Sequence, residues 1–189
     1  MKRIIKGTYG YLKQKRNFII LQTIIFFAIS LSLLIAGIIT TGDKKNLLTI
    51  VAVLGCLPAS KSLVSMIMYL KATSCTEEAK EAICPHEKAL VGMYDMYFTS
   101  YKKNFAISHM VVEGKNICGY TENPKLDKNA CEAHLESHLL QGGFKDMTIK
   151  IFSDISKYTD RLDQLNTLER ERTLKRDDEI RTILYEISL

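Results

Sequence analysis

The chain has 189 residues, 47% of them hydrophobic, with a formal net charge of +5 and no tryptophan. That composition excludes a disordered or low-complexity chain, and the length allows one modest domain beside an anchoring segment. The charge excludes a simple nucleic-acid binder. Residues 1–17 carry six cations and no acid, whereas residues 71–189 hold 17 basic and 20 acidic residues, and a slightly acidic domain repels phosphate backbones.

In chain order, MKRIIKGTYGYLKQKRN (residues 1–17) reads as a basic juxtamembrane segment. Its tyrosines suit the headgroup region and its cations the cytoplasmic face, so anionic headgroups are an expected partner and a short amphipathic helix on the membrane an expected structure. Phe18–Thr41 is an uncharged run of 24 residues. As a helix it spans about 36 Å, enough for a bilayer core of about 30 Å. It is too long for a signal-peptide h-region, and no A-x-A-like cleavage site follows. Five polar residues, Gly42 to Asn46, lead into a second apolar run, Leu47–Leu70, broken only by Lys61. Ser32 with Ala36, and Gly55 with Ala59, are small residues four apart, a spacing that lets helices approach closely. Pro58 is expected to kink the second run, with Ser60 resatisfying the backbone. Lys61 reads as a snorkelling lysine, since neither run contains an acid to pair with it.

Thr76 is the expected cap of a helix that Pro85 stops. Leu90–Thr99, Phe105–Val112 and Ile117–Thr121 have the apolar and aromatic texture of strands, and Glu113–Asn116 (EGKN) that of a hairpin turn. Asp127 caps a helix over Lys128–Gln141 that Gly142–Gly143 ends, with Ala130, Leu135 and Leu139 on its packed face. Met147–Phe152 is a fourth strand, and a helix capped by Ser153 or Asp154 follows. After the charged stretch LERERTLKRDDE, Ile180, Ile183, Leu184 and Ile187 mark a final amphipathic helix. These last helices are expected to pack back on the sheet rather than pair as a coiled coil.

The order helix, three strands, helix, strand over residues 76–152 resembles the core of the restriction-endonuclease-like fold, including the nuclease-related domain. The resemblance implies an acid on one strand and a (D/E)-x-K on the next, holding a divalent cation. Asp95 followed eighteen residues later by Glu113-Gly114-Lys115 offers that pattern, which would make Asp95, Glu113 and Lys115 a Mg²⁺- or Mn²⁺-dependent catalytic set. An alternative alignment places Ser108 where the family has its acid, and Thr121 and Asn123 where it has Glu and Lys. This alignment keeps the fold and loses the metal site. It is the favoured one, because a hairpin turn accounts for Gly114 and Asn116.

Cys131, His134 and His138 share one helix face at i, i+3 and i+7, a spacing that could supply ligands to zinc together with Cys118, or with Cys84 and His86. His109, inside an apolar strand, reads as a satisfied core or rim histidine. Five cysteines, Cys56, Cys75, Cys84, Cys118 and Cys131, lack a disulfide-framework spacing and fit reduced thiols in the cytosol. No Gly-rich phosphate loop, nucleophile elbow or kinase signature occurs.

The expectation is therefore a two-helix transmembrane hairpin (18–70, spans 18–41 and 47–70) carrying an α/β domain (71–189) built of a helix, a three-stranded meander, a helix, a strand and C-terminal helices. Six N-terminal cations and two spans put both termini in the cytoplasm. The expected role is a non-catalytic interaction domain tethered to the membrane, acting through an unknown protein partner or as a homo-oligomer. The alternatives are a membrane-anchored metal-dependent nuclease and a zinc-dependent regulatory module. No cofactor is expected beyond the Mg²⁺, Mn²⁺ or Zn²⁺ of those alternatives.

Overall fold

The computed structural model describes residues 5–42, 46–101, 103–167 and 174–189. Lys2 and Arg3 of the basic segment, the loop residues Asp43, Lys44 and Lys45, and residues 168–173 of the charged stretch lie outside the described residues. The chain forms two units, Leu12–Ala72, and Met1–Tyr11 together with Thr73–Leu189.

The first unit consists of α1 (Tyr11–Thr41) and α2 (Leu47–Lys71), both long and apolar enough to cross a membrane. The expected separate helix over residues 1–17 is not seen among the described residues. Gly7 and Gly10 both take positive φ, and from Tyr11 onward nothing interrupts helical hydrogen bonding, so α1 starts seven residues before the uncharged run. Asn46 caps α2 by accepting from the Thr49 N–H at 2.8 Å. α2 continues through Pro58 as one helix. Ser60 Oγ donates to the Cys56 carbonyl at 2.7 Å.

The two helices meet along small and hydroxyl side chains. Thr23 Oγ1 and Ser62 Oγ are 2.7 Å apart and buried. A Cβ at Gly55 would stand 2.8 Å from Ser30 Oγ. Ala52 and Ala59 are also buried. The sequence leaves Ser32 and Ala36 open to packing between the spans or between protomers, and the contact with α2 does not use them. Ser32 and Ala36 are exposed, and the stripe that faces α2 is Thr23, Ser30 and Gly37, spaced by seven. A four-residue spacing on one helix does not say which face meets a partner, whereas the seven-residue stripe matches Ala52, Gly55, Ala59 and Ser62 opposite. The other faces present Ile24, Ile35, Ile39, Val53, Leu57 and Ile67, all exposed.

The second unit is a four-stranded mixed sheet between two helical layers. Thr76 caps α3 (Glu77–Glu87) through its hydroxyl to the Ala79 N–H. Pro85 does not stop this helix, which runs two residues further. The strands β1 (Gly92–Thr99), β2 (Asn104–Glu113) and β3 (Asn116–Tyr120) form an antiparallel meander, and β4 (Thr148–Phe152) adds parallel to β3. The β2–β3 connection is a two-residue turn, Gly114 (φ +59) and Lys115, closed by the Glu113–Asn116 pair. Between β3 and β4 runs α4 (Lys128–Gln141), capped by Asp127 on the Ala130 N–H. α5 (Ile155–Thr167) and α6 (Leu174–Ile187) follow β4.

One face of the sheet packs on α4 and α6 through Met93, Met96, Phe98, Ile107, Met110, Ile151, Leu135, Leu139, Ile180 and Leu184. The other packs on α3 and α5 through Val111, Cys118, Tyr120, Ile83, Tyr158, Leu162 and Leu165. Strand alternation changes phase in the middle of β1. Met93 and Met96 face the same layer because Asp95 between them takes φ +57, and it is missing from the ladder opposite Ser108.

Candidate functional site

The polar chemistry of the second unit gathers around that break in β1. Asp95 is 3% exposed. Its Oδ1 accepts from the Cys75 N–H at 2.7 Å and its Oδ2 from Ser74 Oγ at 2.8 Å. Asp tolerates the left-handed region better than most residues, and the conformation turns its carboxylate onto the segment leading into α3. On the other side of Ser108, just beyond β3, Glu122 accepts from the Thr76 N–H (3.1 Å), Thr76 Oγ1 (2.6 Å) and Ser108 Oγ (2.8 Å). Thr73, Ser74, Thr76, Ser108, Glu122, Asn123 and Pro124 line a cleft of about 380 Å³ here. Both carboxylates accept from donors in residues 74–76, so their work in this structure is to hold that segment.

The next residue on β1, Tyr94, holds the other segment that leaves the unit. Its N–H donates to the Gly7 carbonyl at 2.8 Å, and its ring meets Tyr9 edge-on at 6.0 Å. Lys80 lies over the Tyr9 ring. Lys6 Nζ donates to the Tyr185 and Ser188 carbonyls at 2.7 and 2.8 Å, placing a cation at the C-terminal end of α6, where the helix dipole favours one. The C-terminal residue pairs with β1 as well, through Leu189 N–H to Tyr97 O at 2.9 Å. Lys6 and Tyr9, read from sequence as headgroup residues, are thus engaged with the α/β unit.

Behind β1 lies a buried polar chain. His109 on β2 is 0% exposed; its Nδ1 is 2.7 Å from the Tyr158 hydroxyl on α5. Its Nε2 is 2.7 Å from Glu87 Oε1, an ion-pair distance at which the N–H does not aim along the line to the oxygen. Tyr94 donates its hydroxyl to the same Glu87 oxygen at 2.6 Å. Burial alone would raise the Glu87 pKa, but the His109 and Tyr94 contacts outweigh it and hold the carboxyl below its ordinary value. Burial and then the Glu87 bond push Tyr94 up, and burial pushes Tyr158 well up, so both phenols stay protonated. Gly92 permits the arrangement, since a Cβ there would collide with Glu87 Oε1 and His109 Nε2. The chain ties α3, β1, β2 and α5 together.

Asp95, Glu113 and Lys115 are not brought together. Glu113 lies five residues along β2 from the position opposite Asp95, roughly 17 Å at strand rise. The Lys115 carbonyl receives the Thr148 N–H, and the Gly114 N–H donates to Asp177 Oδ1 at 3.1 Å. The E-x-K triplet is a turn packed near α6, as the hairpin chemistry of Gly114 and Asn116 predicts. Of the alternative set, Ser108 and Asn123 line the cleft, and Thr121 Oγ1 is spent on the Ala106 carbonyl.

Cys131, His134 and His138 do not form a ligand set either. Cys131 is 0% exposed in the core beneath α4, and burial pushes its thiol up to about 12, against the thiolate that zinc requires. The His134 ring packs on Phe105 and, edge-on at 4.6 Å, on His138. Among the described residues no group of three His, Cys, Asp or Glu is placed to hold a metal ion.

The residues missed from sequence are Glu87, Glu122 and Tyr158. Each is bonded to a partner 14 to 49 positions away or across an element boundary, and local pattern carries no signal for such pairs. Comparison with protein-family models, with curated proteins and with solved structures found no match to this chain.

Proposed function

We propose that this chain is a two-span integral membrane protein that holds a non-catalytic α/β interaction domain at the cytoplasmic face. The observation that carries the reading is the outer surface of the α1–α2 pair. Thr23, Ser30, Gly37, Ala52, Gly55, Ala59 and Ser62 are spent on helix–helix contact, while Leu21, Ile39, Leu47, Val53 and Leu57 face outward. A solvent-exposed apolar surface of that extent is untenable in water and is what a bilayer accommodates. The orientation follows from charge. Lys13, Lys15 and Arg16 at the start of α1 and Lys71 at the end of α2 share one end of an antiparallel pair, and cations accumulate on the cytoplasmic side.

The interaction role is supported by how the polar groups are used. The carboxylates in and beside the cleft are engaged by hydrogen bonds from Ser74, Cys75, Thr76 and Ser108, and His109 is buried in the core. These groups build a rigid, firmly held domain rather than a reaction centre. Deleting residues 12–72 is expected to release the α/β unit from alkaline-washed membranes into the soluble fraction. An unchanged membrane-bound fraction would contradict the anchoring role.

A further inference from the structure

Within the first unit, a groove of about 210 Å³ opens between the helices, lined by Ile19, Gln22, Phe26, Pro58, Lys61, Ser62 and Ser65. Ser62 is committed to Thr23, and Ser65 Oγ donates to the Lys61 carbonyl at 3.2 Å. The Gln22 amide and the Lys61 ammonium have no hydrogen-bond partner among the described residues, and neither helix contains an acid. We propose that this groove binds the phosphate of an anionic lipid, with Lys61 and Gln22 as its donors; the proposal rests on the membrane-spanning reading above.

Depth, charge and shape support it. The Thr23–Ser62 bond sets Lys61 at the level of Ile24, within a turn of Gln22 and eight residues inside Arg16, or about 12 Å along the helix. A lysine stem can bridge much of that distance toward the headgroups. An ammonium held in hydrocarbon without a counter-charge is costly, so it draws an anion to itself. Lys13, Lys15, Arg16 and Lys71 at the same end concentrate anionic lipid there. Below the polar pair, Phe26 and Pro58 give an apolar bed suited to the first part of an acyl chain. Two donors, the Lys61 ammonium and the Gln22 amide, suit a phosphate's several oxygens.

Because the chain has no tryptophan, Phe26→Trp makes a single reporter in the groove and Ile35→Trp one on the exposed face away from it. The full-length variants are reconstituted in vesicles containing dibrominated phosphatidylglycerol or dibrominated phosphatidylcholine, and quenching is measured. Phe26→Trp is expected to be half-quenched at about a fivefold lower fraction of the glycerol lipid than of the choline lipid. Lys61→Met should abolish that preference, and Ile35→Trp should show none. Added inorganic phosphate should leave the quenching unchanged. Equal quenching of Phe26→Trp by both lipids would overturn the proposal, as would a preference that survives Lys61→Met, which would assign it to the basic helix ends. Reversal by inorganic phosphate would make the groove a free-anion site instead. Failure of either lipid to quench Ile35→Trp would instead remove the membrane reading itself. Normal quenching of Ile35→Trp in the Lys61→Met background shows that the variant is inserted.

Discussion

At the scale of residues, Asp95 joins a strained backbone to a hydrogen-bonded carboxylate. Its left-handed φ costs free energy inside a strand, and the bonds from Cys75 N–H and Ser74 Oγ offset it. Asp95→Asn keeps a residue that tolerates this conformation and one acceptor oxygen, whereas Asp95→Ala removes both acceptors and leaves the Cys75 N–H buried. Chemical unfolding of the full-length protein in detergent should show Asp95→Ala destabilised by about 2–3 kcal/mol and Asp95→Asn by about 1 kcal/mol. Equal losses would mean that the carboxylate does not hold residues 74–75. His134 supplies a pH signature. Burial, then the neighbouring charge of His138, holds its pKa below the ordinary 6.5. The unfolded chain therefore binds a proton that the folded one resists, so this contribution is present above pH 6.5 and is lost as pH falls through that value. Its Nε2 is also buried with no hydrogen-bond partner among the described residues. Replacing it by phenylalanine should raise the melting temperature, and the gain over wild type should grow between about pH 7.5 and about pH 5.5. A gain independent of pH would show that His134 titrates as it does in the unfolded chain.

At the scale of elements, legibility tracked locality. The helix Lys128–Gln141 was readable to the residue, because its cap Asp127 and its stop Gly142–Gly143 act on backbone groups a few positions away. The Glu113–Asn116 turn was readable for the same reason. The phase change at Asp95 was not, since its cause is a bond to a segment 20 residues earlier. The contact of Lys6 with the end of α6 was not legible, because a lysine that caps α6 and one that meets a headgroup look alike in sequence. Which face of α1 meets α2 was not legible, for lack of register. Ser32/Ala36 and Ser30/Gly37 are equally small, and only the partner helix distinguishes them. That distinction is testable. Gly55→Ile would drive a side chain into Ser30 and should lower the thermal stability of the detergent-solubilised protein by about 1–3 kcal/mol. Ser32→Ile, on an exposed face, should change it by less than about 0.5 kcal/mol. Comparable losses from both would place the helix contact on the other face.

At the scale of the whole molecule, the α/β unit fastens both of its connecting segments to adjacent residues of one strand, Gly7 to Tyr94 and Ser74–Cys75 to Asp95. The order helix, three strands, helix, strand was legible because each element carries its own periodicity and punctuation. The candidate site was not, because the expected Asp95, Glu113 and Lys115 lie far apart along the meander and the groups that do converge are distant in sequence. The central claim, that α1 and α2 cross a bilayer, is tested most directly by thiol labelling. Of the five cysteines, Cys56 on α2 and Cys84 on α3 are exposed, and the other three are buried. Full-length protein in open membranes is treated with a membrane-impermeant maleimide, and the labelled sites are identified by mass spectrometry. Modification of Cys84, with Cys56 unmodified until the membrane is dissolved in denaturing detergent, is the predicted result. Labelling of Cys56 in intact membranes as fast as Cys84 would show that α2 stands in water, and would contradict the account.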